Sequence, residues 1–216
     1  MNRILASKWT KVVLFVLCLI PATRLAWGLS LALRGLPAGP LTANPVEFIT
    51  RNTGDWTIRF LLITLAVTPL RFLLNRPRVT KFRRMLGLFA FFYGSLHFLT
   101  WVWLDKFWAL MEMFSDVLKR PFITVGMIAF VVMIPLAITS TDGWVKHLGW
   151  VRWQKLHRIV YVSPLAGVVH YWWLVKSDVT WPEIYAAILA VLLGYRVYQW
   201  TKAAKPVPVR KPVVTS

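Results

Sequence analysis

Residues 85–104 read MLGLFAFFYGSLHFLTWVWL, twenty residues with no formal charge and a single imidazole, His97, toward the far end. About 20 mostly apolar residues are what a helix needs to cross about 30 Å of hydrocarbon. The imidazole of His97 needs a partner inside lipid. The stretch is therefore expected to be a transmembrane helix, and the rest of the chain repeats the pattern. Similar runs occur at 12–33, broken by Pro21 and Arg24, at 56–74, and at 122–140, which is also uncharged. Two more lie at 156–175 and at 181–200, the last with Glu183 and Arg196 near its ends. Hydrophobic residues make up 57% of the 216, more than a soluble domain of this size carries. The expected fold is an all-α integral membrane protein of six transmembrane helices. Residues 1–201 form that domain, and 202–216 form a basic, Pro-rich tail. The basic start before the first run (Arg3, Lys8, Lys11) resembles a signal peptide. No small-x-small cleavage site follows it, so a retained first helix is expected.

The net charge of +18 raises the question of nucleic acid. The charge sits between apolar blocks, which is a topology signal and excludes a nucleic-acid partner. Lys and Arg concentrate on cytoplasmic loops. Seventeen basic residues fall on one side: the N-terminus, the stretch Arg71–Arg84, the stretch Lys146–Arg158 and the tail. Seven fall on the other: Arg34, Arg51, Arg59, Lys106, Lys119, Arg120 and Lys176. Seven of the eight acids share that second side, and only Asp142 lies with the basic majority. Both termini are thus expected in the cytoplasm, with the chain multi-pass in its membrane.

The spans exclude several chemistries. None has a central carboxylate, as proton pumps and cation-coupled transporters require. There is no phosphate-cradling glycine loop and no hydrolytic triad. The lone Cys18, inside an apolar run, supports neither a disulfide nor a cysteine metal site. Histidine remains. His97, His157 and His170 lie in spans, and a buried imidazole suits haem iron. His157 and His170 are about 20 Å apart along a helix, one near each face, and His97 matches His170 in depth. On an ideal helix the two point about 140° apart, so Pro164 between them would have to kink or rephase the chain. Each histidine is equally readable as an interhelical hydrogen-bonding group. His147 belongs to a basic, Trp-rich interfacial stretch, 144–155. Arg24 reads either as a partner for a haem propionate or quinone-site group, or as a snorkelling side chain. The cluster Arg76–Arg84 reads as topology signal and anionic-lipid contact, or as a site for a flavin phosphate or an acidic soluble reductase. Arg83 and Arg84, beside the third span, suit both roles.

Several stretches now combine. They are Thr53-Gly54 with Leu65–Arg71 (LAVTPLR), Arg83–Leu88 (RRMLGL) leading to Leu96-His97, and Lys119-Arg120-Pro121. Leu136–Ser140 (LAITS), Trp153–Val162 (WQKLHRIVYV) and His170-Tyr171 follow in order. Together they resemble the MsrQ (YedZ) family, haem-binding membrane subunits of bacterial protein-methionine-sulfoxide reductase systems, within the ferric-reductase-like transmembrane group. The first span matches only in character, and the tail does not match. The resemblance implies a haem-binding bundle holding haem b and FMN in the bacterial inner membrane. It implies electron transfer to a periplasmic molybdopterin subunit, MsrP, which reduces methionine sulfoxide in envelope proteins. The implied donor is the quinone pool or a cytosolic flavin reductase. His97, His157 and His170 stand where the family has haem histidines. The wider group carries a further histidine near the start of the third helix, where this sequence has Arg83. Arg83 and Arg84 are therefore candidates for an inner-side cofactor or FMN. No catalytic residue is expected in the chain itself. A stand-alone transmembrane ferric reductase is a second reading, weakened by the lack of an attached flavin and nicotinamide domain. A cofactor-free scaffold or transporter is a third, and it leaves three intramembrane histidines unexplained.

Overall fold

The computed structural model describes residues 7–203 except 38, 40, 42 and 176. Arg3, Lys176 and the tail from residue 204 onward lie outside the described residues. Every regular element within them is helical. Helix α1 (Lys8–Leu33) is capped by the Ser7 hydroxyl, which accepts from the Trp9 amide at 3.1 Å. Helix α2 (Pro45–Leu73) begins well before the expected residue 56. Asn44 caps it through the Glu47 amide at 3.3 Å, and Pro45 occupies the first turn, where a missing N–H costs nothing. A 3₁₀ turn (Pro77–Phe82) leads into α3 (Arg83–Leu99), which widens into a π-helical turn over Thr100–Asp105. A short amphipathic helix, α4 (Leu110–Lys119), precedes α5 (Pro121–Ile138). Two short helices, α6 (Asp142–Leu148) and α7 (Trp150–His157), make the next connection. The chain ends with α8 (Val162–Leu174) and α9 (Thr180–Ala203).

Among the described residues, four helical stretches are long and apolar enough to cross a membrane: Lys8–Leu33, Pro45–Leu73, Pro77–Asp105 and Pro121–Ile138. The expected fifth span, 156–175, is not one helix. His157 closes α7, a 3₁₀ turn covers Arg158–Tyr161, and α8 is only 13 residues long. Pro164 does not kink that helix, because it sits in the first turn, where no intrahelical donor is lost. The rephasing happens in the 3₁₀ turn before it. Helix α9 has the length to span but carries Glu183, Arg196 and Lys202. Outward-facing Val12, Val13, Val16, Leu17 and Ile20 of α1 are exposed, as a lipid-facing surface requires.

Two prolines shape the packing. Pro21 lies inside α1, and one residue later the helical ladder is opened by a side chain. The Tyr93 hydroxyl donates to the Cys18 carbonyl at 2.7 Å and accepts from the Ala22 amide at 3.2 Å, bridging two groups that would otherwise bond each other. Tyr93 is fully buried, stacked on Phe60 at 5.3 Å. Pro69 in α2 has no N–H to give the Leu65 carbonyl. Arg196 of α9 supplies the missing donor at 3.3 Å, and its other terminal nitrogen donates to the Tyr161 hydroxyl at 3.0 Å.

Candidate functional site

Helices α2, α3, α5 and α8 enclose a cavity of about 750 Å³. Its walls are apolar (Ile58, Leu61, Phe98, Phe130, Met133), and its mouth carries Glu47, Arg51, Asp105 and Arg120. The acids and bases at the mouth belong to the side with the fewer positive charges. His97 and His170 project into this cavity from α3 and α8, their ring centres 6.1 Å apart and their planes at 76°.

Each ring is held by the same device. The Nδ1–H of His97 donates to the Thr50 carbonyl at 2.9 Å, and that of His170 to the Phe122 carbonyl at 2.6 Å. A carbonyl can only accept, so the proton is on Nδ1 in both rings and the Nε2 lone pair is left for a ligand. The residue one helical turn after each carbonyl is glycine, Gly54 after Thr50 and Gly126 after Phe122. A Cβ at Gly126 would stand 2.7 Å from the His170 Nδ1, and one at Gly54 would stand 3.1 Å from the His97 Cε1. The missing side chains let each imidazole lie flat enough on the neighbouring helix to reach its backbone. Immediately beyond His97 the helix opens into its π turn, a distortion often found at functional sites.

The pair fits a shared metal atom. Two imidazoles bound through Nε2, each at about 2 Å, put their ring centres about 6 Å apart, against 6.1 Å here. Around them, Tyr171 and the Asp55 carboxylate lie within electrostatic reach of each other at the cavity edge. Arg59 lies between Trp56 and Trp181 and donates to the Tyr185 hydroxyl at 2.8 Å.

His157 is arranged differently. It ends α7, and it is not among the residues lining the cavity. Its Nε2 lies 3.0 Å from the Thr139 hydroxyl, which spends its own proton on the Pro135 carbonyl at 2.6 Å. Thr139 therefore accepts, and the His157 Nε2 acts as a donor. Trp153 stacks on the ring at 4.0 Å and donates through Nε1 to the Thr139 carbonyl at 2.8 Å. In this arrangement the His157 imidazole does not present a free Nε2, and one ring face is covered. It does not fit a haem without giving up the Thr139 bond.

The arginines separate in the same way. Arg84 is exposed and pairs with Asp142 at 2.6 Å, holding that carboxyl below the usual carboxylate range. Arg83 is half-buried at the start of α3, within electrostatic reach of His157 and Arg196. Arg24 is exposed on α1, away from the cavity, and His147 is exposed against Trp144. Among the described residues no group of three or more His, Cys, Asp or Glu is placed to hold a bare metal ion.

Residues 53–168 match the family of ferric-reductase-like transmembrane components. A Herminiimonas arsenicoxydans protein named "protein-methionine-sulfoxide reductase heme-binding subunit MsrQ" is 55% identical over 198 residues, covering 90% of this chain and 88% of the relative. Proteins of the same name from Bordetella pertussis and Caulobacter vibrioides are 51% and 46% identical. The alignments cover 88% and 87% of this chain and 89% and 86% of those relatives. No solved structure matches the chain. The chain belongs to the ferric-reductase-like transmembrane family, and within it to the MsrQ proteins.

Proposed function

We propose that this protein is the haem-binding membrane subunit of a protein-methionine-sulfoxide reductase system. The observation that supports it best is the His97–His170 pair, 6.1 Å apart, with both Nδ1 atoms committed to carbonyls. Haem b bound between them would supply reversible one-electron chemistry at a buried site. The chain's own part is to fix two imidazoles in one tautomer and exclude water with Phe98, Phe130 and Met133.

The wider reading places six spans in the bacterial inner membrane, with both ends and the 202–216 tail in the cytoplasm. Residues 1–201 form one domain. The charge asymmetry of the loops supports this orientation, in which the cavity mouth faces the periplasm. Electrons then run outward, from the quinone pool or a cytosolic flavin reductase to a periplasmic molybdopterin subunit, MsrP. The names of the relatives support the sulfoxide-reductase system. FMN is the second cofactor in this reading. Arg83, Arg84 and His157 are its nearest candidates on the inner side, with Arg24 a peripheral one, and the cluster's positive charge supports an anionic group there.

A reduced-minus-oxidised absorption spectrum of the purified protein tests the first claim. A b-type signal is expected, and its absence in fully loaded preparations refutes the electron-transfer reading. Co-purification with a periplasmic molybdoenzyme tests the partner. Efficient reduction of ferric chelates without any partner would favour the ferric-reductase alternative.

A further inference from the structure

The chain has eight carboxylate side chains, and all of them belong to described residues. Seven are at the cavity end. The eighth, Asp142, is taken by Arg84 at 2.6 Å. The ion pairs among the described residues join Arg51 to Glu47, Arg59 to Asp55, Arg84 to Asp142, and Lys106 and Arg120 to Asp116. Arg83 and Arg196 are in none of them. Arg196 is nonetheless held inside the bundle. The orphaned Leu65 carbonyl and the Tyr161 hydroxyl fix its two terminal nitrogens, the Tyr161 ring lies 5.6 Å from its charge, and its buried Nε has no partner. The charged group within its reach is Arg83, of the same sign. Fixing a half-buried guanidinium, with an unpartnered Nε, within reach of a like charge is costly unless an opposite charge joins it. No side chain of this protein can supply it.

We infer that Arg83 and Arg196 form an anion-binding site at the end of the bundle opposite the cavity, taking a carboxylate or phosphate group. The guanidinium of Arg196 is pre-oriented by backbone and tyrosine, so it meets such a group without losing rotamer freedom. Two sources share this chemistry: the acidic arm of a bound cofactor and the headgroup of an anionic phospholipid. The cofactor source rests on the function proposed above, whereas the lipid source does not.

The test uses the full chain purified with its bound groups, as wild type, Arg196→Gln, Arg196→Lys, Arg83→Gln and Tyr161→Phe. Native mass spectrometry counts tightly bound phospholipid, and flavin and haem are quantified per protein with their release rates. If the anion is lipid, Arg196→Gln and Arg83→Gln lower retained acidic phospholipid about tenfold or more and leave cofactor content unchanged. If it is a cofactor arm, they raise that cofactor's release rate by a similar factor and leave lipid unchanged. Arg196→Lys and Tyr161→Phe, which keep the charge, retain most of the binding in either case. Wild-type lipid retention and release rates in both glutamine variants overturn the inference. The His97–His170 absorption signal and the melting temperature report folding. If Arg196→Gln fails to fold for want of its Leu65 bond, Arg83→Gln decides alone. A protein without a haem signal that still loses lipid in Arg83→Gln would refute the proposed function while leaving this site standing.

Discussion

Gly126→Ala is the sharpest test of how the histidine pair is held. The new methyl group would sit 2.7 Å from the His170 Nδ1, closer than real side chains approach, so the ring must move. Overpacking of this kind costs about 1–3 kcal/mol. Moving the ring also stretches its 2.6 Å bond to the Phe122 carbonyl, worth about 0.5–1.5 kcal/mol net. Together these weaken binding of a group held by His170 by about 2–4 kcal/mol, roughly thirty- to a thousand-fold. The apoprotein is spared much of this. An unliganded ring is freer to yield, and alanine favours the helix over glycine by about 1 kcal/mol. Gly54→Ala is the built-in comparison. Its nearest atoms are 3.1 and 3.2 Å away, so His97 yields by a few tenths of an ångström and the loss stays below about tenfold. The assay is titration of apoprotein in detergent with haem, followed by Soret absorbance, with melting curves of the apo variants alongside. Wild-type affinity in Gly126→Ala, or a larger loss in Gly54→Ala, would refute the reasoning.

Other outcomes follow from the same contacts. His97→Ala and His170→Ala should each abolish the same b-type absorption band, and loss of different bands would break the pairing. Tyr93→Phe lets the Ala22 amide bond the Cys18 carbonyl directly, so it should cost only about 1 kcal/mol in a reversible unfolding measurement. Tyr93→Ala also empties the stack on Phe60 and should cost about 3–5 kcal/mol. A similar loss in both variants would show that the ring's packing does not matter. The Arg84 partner depresses the Asp142 carboxyl, so the latch is present at neutral pH and is lost as pH falls through that lowered value. Hydrogen exchange of residues 142–157, after division by the pH-dependent intrinsic rate, should accelerate over that acidic range in wild type. In Asp142→Asn it should already be fast at neutral pH.

The third span was legible because 85–104 carries no charge, and lipid allows one reading of such a run. Helix α2 was read too short for the opposite reason. Glu47, Arg51, Asp55 and Arg59 break the apolar run, yet they pair along one face, Arg51 to Glu47 at 2.8 Å and Arg59 to Asp55 at 3.8 Å. The Asn44-Pro45 start was visible as a capping signal that hydropathy ignores. The angular mismatch between His157 and His170 was a true warning, and the structure places the break at Arg158–Tyr161 rather than at Pro164. Helix α4 was missed because ten residues cannot span, and its Leu110, Met111, Phe114, Leu118 stripe is amphipathic rather than uniformly apolar. The roles of Gly54 and Gly126 depend on which helix packs against them, which no local pattern contains. Arg196 was noted only as a charge near a helix end, and its meaning came from Pro69, far away in sequence.

The hydroxyl of Tyr93 in the open rung of α1 has a consequence for depth. Apolar helices in lipid slide past one another at little cost, since every height offers similar contacts. One polar bond at one rung removes that freedom, because a slip of a single residue shifts the helix by about 1.5 Å and turns it by about 100°. Tyr93 lies one turn below His97 on the same helix. Notching Tyr93 into α1 sets how far beneath the membrane surface the His97 imidazole rides. A helix that lends no side chain to the cavity thus acts as its depth gauge.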